Sequence, residues 1–271
     1  MAKEQRYCIF CGGNKLSHEH IWPDWIAPHL TVPPNPKYSI VSHGTTADNL
    51  KDLKQTSKRI FQGPLHTATV KRVCETCNNE WMSKAEERAK PMLLALMKGE
   101  KREFSIPEQR ILARWISIKV TVTEYSLPNF ACTPQHHRTQ IMQDNFKYPG
   151  WRIWLVSNLG MAWNAQLARN ALRIAQMRPD GTPDLAFGSL PKNVQSVTIG
   201  IDKVVFHVIT TTIQNAYFKL PDEVIDNVID LLPIKGNFHW PPNKPFSDAA
   251  IENLSMAIDR SGRRLKTPTF R

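Results

Sequence analysis

No stretch of this sequence comes near the roughly 18 uninterrupted apolar residues of a membrane-spanning helix, which predicts a chain without membrane spans. The opening run MAKEQRYCIFCGG has no apolar core of the kind that directs secretion, and no acyl or prenyl signal is present, so the expected location is the cytoplasm. Internal repeats and low-complexity stretches are missing too, which excludes solenoids and fibrous arrays. Acidic residues are scarce: 24 Asp and Glu stand against 35 Lys and Arg, a formal net charge of +11. A field of that sign attracts polyanions at long range and through counterion release, and nucleic acid is the commonest polyanion. Cysteine is sparse, five in 271 residues, which excludes a disulfide-scaffolded secreted fold.

The few cysteines are not scattered. Four form two pairs, CIFC (Cys8, Cys11) and CETC (Cys74, Cys77), and Cys132 is left over as a buried thiol. A two-residue gap is the spacing of a zinc knuckle, in which a tight turn aims two thiolates at one ion about 2.3 Å away. Four thiolates close a tetrahedral shell with no position for water or substrate, so one structural Zn²⁺ stapling the two segments is the expected reading. Two local redox pairs are the alternative; stable disulfides do not suit the cytoplasm.

That staple would carry the run SHEHIWPDW (residues 17–25) close to NN at 78 and 79. Glu19 offers a carboxylate oxygen for a hard cation such as Mg²⁺, Asn78 an amide oxygen, and His20 a base that titrates near neutrality. Pro23 stops a strand, since it cannot donate to a sheet ladder, and Trp22 and Trp25 read as packing residues.

The order Cys-x-x-Cys, then an acidic residue with His-Ile-x-Pro, then Cys-x-x-Cys-Asn resembles the HNH, or ββα-metal, endonuclease superfamily. The resemblance is strongest to its zinc-stapled branch containing recombination endonuclease VII, and it covers residues 6–98, about a third of the chain. It implies that Glu19 and Asn78 hold one catalytic divalent cation, Mg²⁺ or Mn²⁺, and that His20 is the general base. It implies a fold as well: a β-hairpin beginning near His20, then a helix from around Cys77. Where many members carry an Asn before the second knuckle, this chain reads HTATVKRV, which leaves His66, Thr69 or a peptide carbonyl to orient His20. The expected activity is metal-dependent phosphodiester hydrolysis, on DNA in preference to RNA, with a homodimer needed for cutting both strands. Host defence against phage, mobile-element biology and DNA repair all suit such an enzyme. The alternative is a catalytically inactive, zinc-stapled nucleic-acid-binding or adaptor protein.

The remaining sequence predicts an α+β protein: a ββα-metal module over 1–100, then a mixed helix and antiparallel-sheet region over 101–271. EWMSKAEERAKPMLLALMKG reads as a helix that Pro91 should kink or restart and Gly99 should end. SIPEQRILARWISIKVTVTEY reads as a second helix, capped by Ser105 with Pro107 in its first turn. The stretch between the knuckles, punctuated by Pro and Gly, reads as an insertion, and His136 and His137 as loop histidines. WRIWLVSNL, ALRIAQMRP and SVTIGIDKVVFHVITTT are strand-like, the last a hairpin; LPDEVIDNVIDLLP and FSDAAIENLSMAIDRSG are helical. Lys84 and Arg88 on the first helix, and Arg263 and Arg264 in the basic tail RSGRRLKTPTFR, are candidate phosphate contacts.

Overall fold

The computed structural model describes residues 6–31, 36–46, 54–145, 147, 150–173, 192–213, 220 and 222–256. Its strands are β1 (Leu16–His20), β2 (Lys37–Thr46), β3 (Lys54–Pro64), β4 (Thr69–Cys74), β5 (Arg102–Phe104), β6 (Trp151–Ser157), β7 (Gln166–Leu172), β8 (Val194–Ile201), β9 (Val204–Thr211), β10 (Ile229–Leu232) and β11 (Phe238–Trp240). The helices are α1 (Glu75–Cys77), α2 (Ser83–Lys98), α3 (Ile106–Thr123), α4 (Gln135–Met142), α5 (Asp222–Ile225) and α6 (Asp248–Ser255), with a π-helical segment, Asn78–Met82, joining α1 to α2. The protein is α+β. Among the described residues no helix is long and apolar enough to cross a membrane.

A seven-stranded sheet runs β10-β6-β9-β8-β7-β2-β3. Its strands from residues beyond 101 pair antiparallel, as expected; the sheet as a whole is mixed because β2 lies parallel to β7, from Ser39 beside Gln166 to Gly44 beside Ala171. The stretch between the knuckles, expected as an insertion, is largely strand where it is described. It contributes β2 and β3, a long antiparallel hairpin that extends the sheet built by residues beyond 150. Every residue of β8 and β9 is buried, as expected for central strands covered on both faces.

Helix α3 runs through the middle of the protein. Twelve of its residues, Lys119 among them, are buried, and a helix that is apolar almost all round belongs inside a core. Its start is fixed by the Glu108 carboxylate, which accepts from the Ser105 backbone N–H at 2.9 Å and the Ser105 hydroxyl at 2.8 Å. Helix α2 packs on α3 and continues through Pro91 rather than restarting there. Pro91 sits on the exposed face, where the carbonyl it leaves without a donor is open to water. Gly99 ends α2 in the left-handed conformation, φ 68°.

Two further expectations change. LPDEVIDNVIDLLP yields only the short α5 and then turns into β10, whose Leu231 and Leu232 are buried beside β6. His136 and His137 open α4 instead of lying in a loop, and His137 Nδ1 is 3.4 Å from the Trp151 indole nitrogen. Cys132 is the buried thiol expected, pushed up to about 12 mainly by burial. Most of the second half of ALRIAQMRP, Gly262 and the tail with Arg263 and Arg264 lie outside the described residues.

Candidate metal centres and the cleft beside them

The four cysteines converge. Their sulfurs all lie within 4.8 Å of one another, Cys11 Sγ and Cys74 Sγ at 3.4 Å. A tetrahedral ion with bonds of about 2.3 Å separates its sulfurs by about 3.8 Å, so this cluster has the size of a Cys₄ metal site such as zinc occupies. The backbone builds it: Gly12, at φ 78°, closes the first turn by donating to the Cys8 carbonyl at 2.9 Å. Gly13 N–H points at Cys11 Sγ and Cys77 N–H at Cys74 Sγ, each at 3.4 Å, the amide–sulfur contacts that steady thiolates. Burial pushes the thiols of Cys74 and Cys77 up, so these two favour thiolates only with a cation beside them, whereas at Cys8 burial is outweighed by backbone hydrogen bonds, which lower it. Ile9 N–H donates to Arg72 O at 3.0 Å and Glu75 N–H to Lys15 O at 2.9 Å, which ties both knuckles to the β1–β4 pair.

Strand β1 ends at His20 instead of beginning there, opposite Thr69 of β4. The helical run that follows β4 starts at Glu75, close to the expected Cys77. Glu19, His20 and Asn78 line one cleft of about 510 Å³, together with Asp24, Trp25, Glu86 and Lys119. The cleft floor is the π segment and α2, where Asn78, Met82, Glu86 and Lys90 recur at near-helical spacing. π-Helical turns of this kind are frequent at functional sites.

His20 Nε2 lies 3.1 Å from the His66 carbonyl oxygen and 3.4 Å from Asp24 Oδ1. A carbonyl only accepts, so Nε2 carries the hydrogen, and in the neutral ring Nδ1 is the basic nitrogen. The peptide carbonyl, among the three alternatives, is what holds His20; Thr69 Oγ1 instead meets His18 Nδ1 at 3.0 Å. Asn78 donates its amide nitrogen to Ser17 Oγ at 3.1 Å and His18 O at 3.3 Å, which leaves its carbonyl oxygen as the end available to the cleft.

Glu19 is 7% exposed and has a partner the sequence reading did not assign. Lys119, 2% exposed, reaches from α3 to place Nζ 2.7 Å from Glu19 Oε1, 3.0 Å from Glu86 Oε2 and 3.0 Å from the His20 carbonyl. Three acceptors saturate the three donors of an ammonium. Burial alone would lower the Lys119 pKa, but the Glu19 and Glu86 charges override it and raise it, so the side chain stays charged. Glu86 also accepts from the Trp25 indole at 3.2 Å. The signal for Lys119 was present in ILARWISIKVTVT, where a lysine inside an apolar helix must be paired if it is buried.

The donor set still fits a hard divalent cation. Mg²⁺ typically takes one or two protein oxygens and keeps several waters, and a carboxylate has acceptor sites beyond the one Lys119 occupies. The proposed phosphate contacts divide differently. Arg88 lies in another cleft, with Arg110 and Arg114, and pairs with Asp144 at 3.5 Å; Lys84 lines neither cleft, and Lys90 is the α2 cation that does line the His20 cleft. No protein-family model, curated protein or solved structure matches this chain.

Proposed function

We propose that the chain is a metal-dependent endonuclease that hydrolyses phosphodiester bonds, DNA in preference to RNA, with His20 as general base. The observation that carries this reading is the cleft itself. Glu19, His20 and Asn78, distant in sequence, line one cavity beside a four-cysteine cluster, and the His20 ring is fixed through Nε2 by a carbonyl. The cysteine cluster suits a structural zinc. Glu19 and Asn78 would hold Mg²⁺ or Mn²⁺, which supplies charge neutralisation on the phosphorane and on the departing 3′ oxygen.

The chain's own residues supply the rest. With Nε2–H committed to His66 O, Nδ1 of the neutral ring takes a proton from water as the oxygen adds to phosphorus, a contribution of typically 10²- to 10⁴-fold. Asp24, 3.4 Å from Nε2, stabilises the imidazolium that results. Lys119 holds the Glu19 carboxylate at 2.7 Å and donates to the carbonyl of His20 itself, so it positions acid and base together.

Lys119 also favours a second reading. An internal ammonium already compensates Glu19, as in a nucleic-acid-binding protein that has no need of a catalytic cation. A plasmid-nicking assay with Mg²⁺ or Mn²⁺ separates the two. Nicking by the wild type and a loss of about 10²-fold or more in His20→Ala is the expected result; cleavage unchanged in the variant removes His20 from its role, and no cleavage by either favours the binding protein.

A further inference from the structure

The end of β1 separates two clefts of opposite character. His20 lines the one already described, which holds four carboxylates, Glu19, Asp24, Glu86 and Glu87. The next residue, Ile21, and Thr69, paired with His20 across the hairpin, line a second cleft of about 350 Å³. That cleft is bordered by Arg6, Arg59, Lys71 and Arg72 and by no Asp or Glu. Among the described residues none of these four cations pairs with a carboxylate.

Their partners are aromatic instead. The Arg59 guanidinium lies 4.3 Å from the Phe61 ring centre, and that of Arg72 lies 5.4 Å from the Tyr125 ring, both rings half-buried in the cleft wall. Arg59 also donates through Nη1 to Ser126 O at 3.4 Å, and a second guanidinium, that of Arg138, lies 5.2 Å from the Tyr125 ring centre. The remaining N–H edges of Arg59 and Arg72 can meet phosphate oxygens, and Phe61, with a guanidinium on one face only, is the ring on which a base can stack. The volume lies near the lower end of ligand clefts, room for a nucleotide unit and too narrow for a duplex. A double helix presents its bases stacked and paired; only an unpaired strand can bring a base to Phe61.

We propose that this cleft binds an unpaired nucleotide segment, the phosphates on Arg59, Lys71 and Arg72 and a base against Phe61. The strand then continues past Thr69 to His20, so the substrate is single-stranded or locally opened nucleic acid. The path to His20 rests on the endonuclease reading; the binding cleft does not.

Fluorescence anisotropy, without added divalent cation, tests it with a short labelled strand, as DNA and as RNA, and with the matching duplex across a salt series. Wild type is expected to bind the strand more tightly than the duplex, the tighter of the DNA and RNA arms identifying the natural strand. Arg59→Gln with Arg72→Gln should weaken binding about tenfold and flatten the slope of log affinity against log salt by about 1.4, about 0.7 for each phosphate that an arginine no longer neutralises. Phe61→Leu should weaken binding about fivefold with the salt slope unchanged, the signature of missing stacking rather than missing charge. A double variant with wild-type affinity and slope, or a wild type that prefers the duplex, overturns the proposal. A wild type that binds this way yet leaves the same single strand uncut once Mg²⁺ or Mn²⁺ is added overturns the endonuclease reading alone.

Discussion

Replacing Lys119 by methionine keeps the length of the side chain and removes its charge. In the folded protein the ammonium is 2% exposed and satisfies Glu19, Glu86 and the His20 carbonyl at 2.7, 3.0 and 3.0 Å. Lys119→Met leaves two carboxylates facing one another with nothing between them. Breaking a buried charge pair by deleting one partner costs about 3–5 kcal/mol, a large part of the roughly 5–15 kcal/mol that holds a domain folded. The thermal midpoint should fall by about 6–20 °C in a chain of this size. If Glu19 faces a cation site, Mn²⁺ then replaces part of the missing charge: at about a hundred times its Kd, a bound ion returns about 2.7 kcal/mol. Calorimetry of wild type and variant, with and without Mn²⁺, should show the variant gaining more. An unchanged midpoint in Lys119→Met would refute the buried triad. A lowered midpoint that Mn²⁺ raises no more than in wild type would refute the link between the triad and a cation site. Because the folded protein holds the Lys119 proton more tightly than the unfolded chain, its contribution is complete below pH 10.5 and is lost as pH rises through its raised value. Alkaline unfolding should therefore be steeper in wild type than in the variant.

Metal analysis of purified protein should find one zinc per chain and its loss in Cys74→Ser, with a large fall in midpoint, because the ion joins segments distant in sequence; full zinc in the variant would contradict a shared site. Acid should destabilise the protein early. Burial pushes His207 down to about 3, and burial together with neighbouring His136 pushes His137 down to about 4, so both stay neutral in the folded state while the unfolded chain takes up protons below about 6.5. Their contribution is complete above that pH and declines as pH falls toward 4 and 3; a urea midpoint that stays flat from about pH 7 to about pH 4.5 would contradict it.

The local signals were legible because each is set by neighbouring residues. Cys-x-x-Cys spacing, the Ser105 cap, Gly99 and the hairpin within SVTIGIDKVVFHVITTT depend on turns and helix ends, which a few residues decide. Partners across the fold were not legible. Nothing in the order of residues tells β2 to lie parallel to β7, since the choice depends on how a distant hairpin meets the sheet. Lys119 was visible as an odd charge in an apolar helix, but its partner Glu19 is 100 residues away. Thr69, His66 and a peptide carbonyl were all open as the group that orients His20, and side-chain patterns could not choose among them; the His66 main-chain oxygen is what sits at 3.1 Å.

These long-range partners bear on whether residues 1–100 can stand alone. Strands β1 and β4 form only a two-stranded pair, and an isolated hairpin is marginal in water. Trp22, fully buried, donates its indole N–H to Gly200 O at 3.2 Å. Gly200 itself must be a glycine because it lies against Trp163: a Cβ there would lie 1.9 Å from the Trp163 carbonyl oxygen. Thr31 N–H reaches Asp202 Oδ2 at 3.1 Å, and Lys119 neutralises Glu19 from α3. A fragment of residues 1–100 would expose Trp22 and the apolar face of α2 and leave Glu19 and Glu86 without their cation. Zinc can close the knuckles but supplies none of these interactions. The fragment should therefore bind zinc yet unfold without a cooperative transition, as read by near-ultraviolet circular dichroism on heating. A fragment that melts cooperatively with one zinc bound would show that the staple alone suffices, and that the sheet beyond residue 100 serves the substrate and not the fold of the cleft.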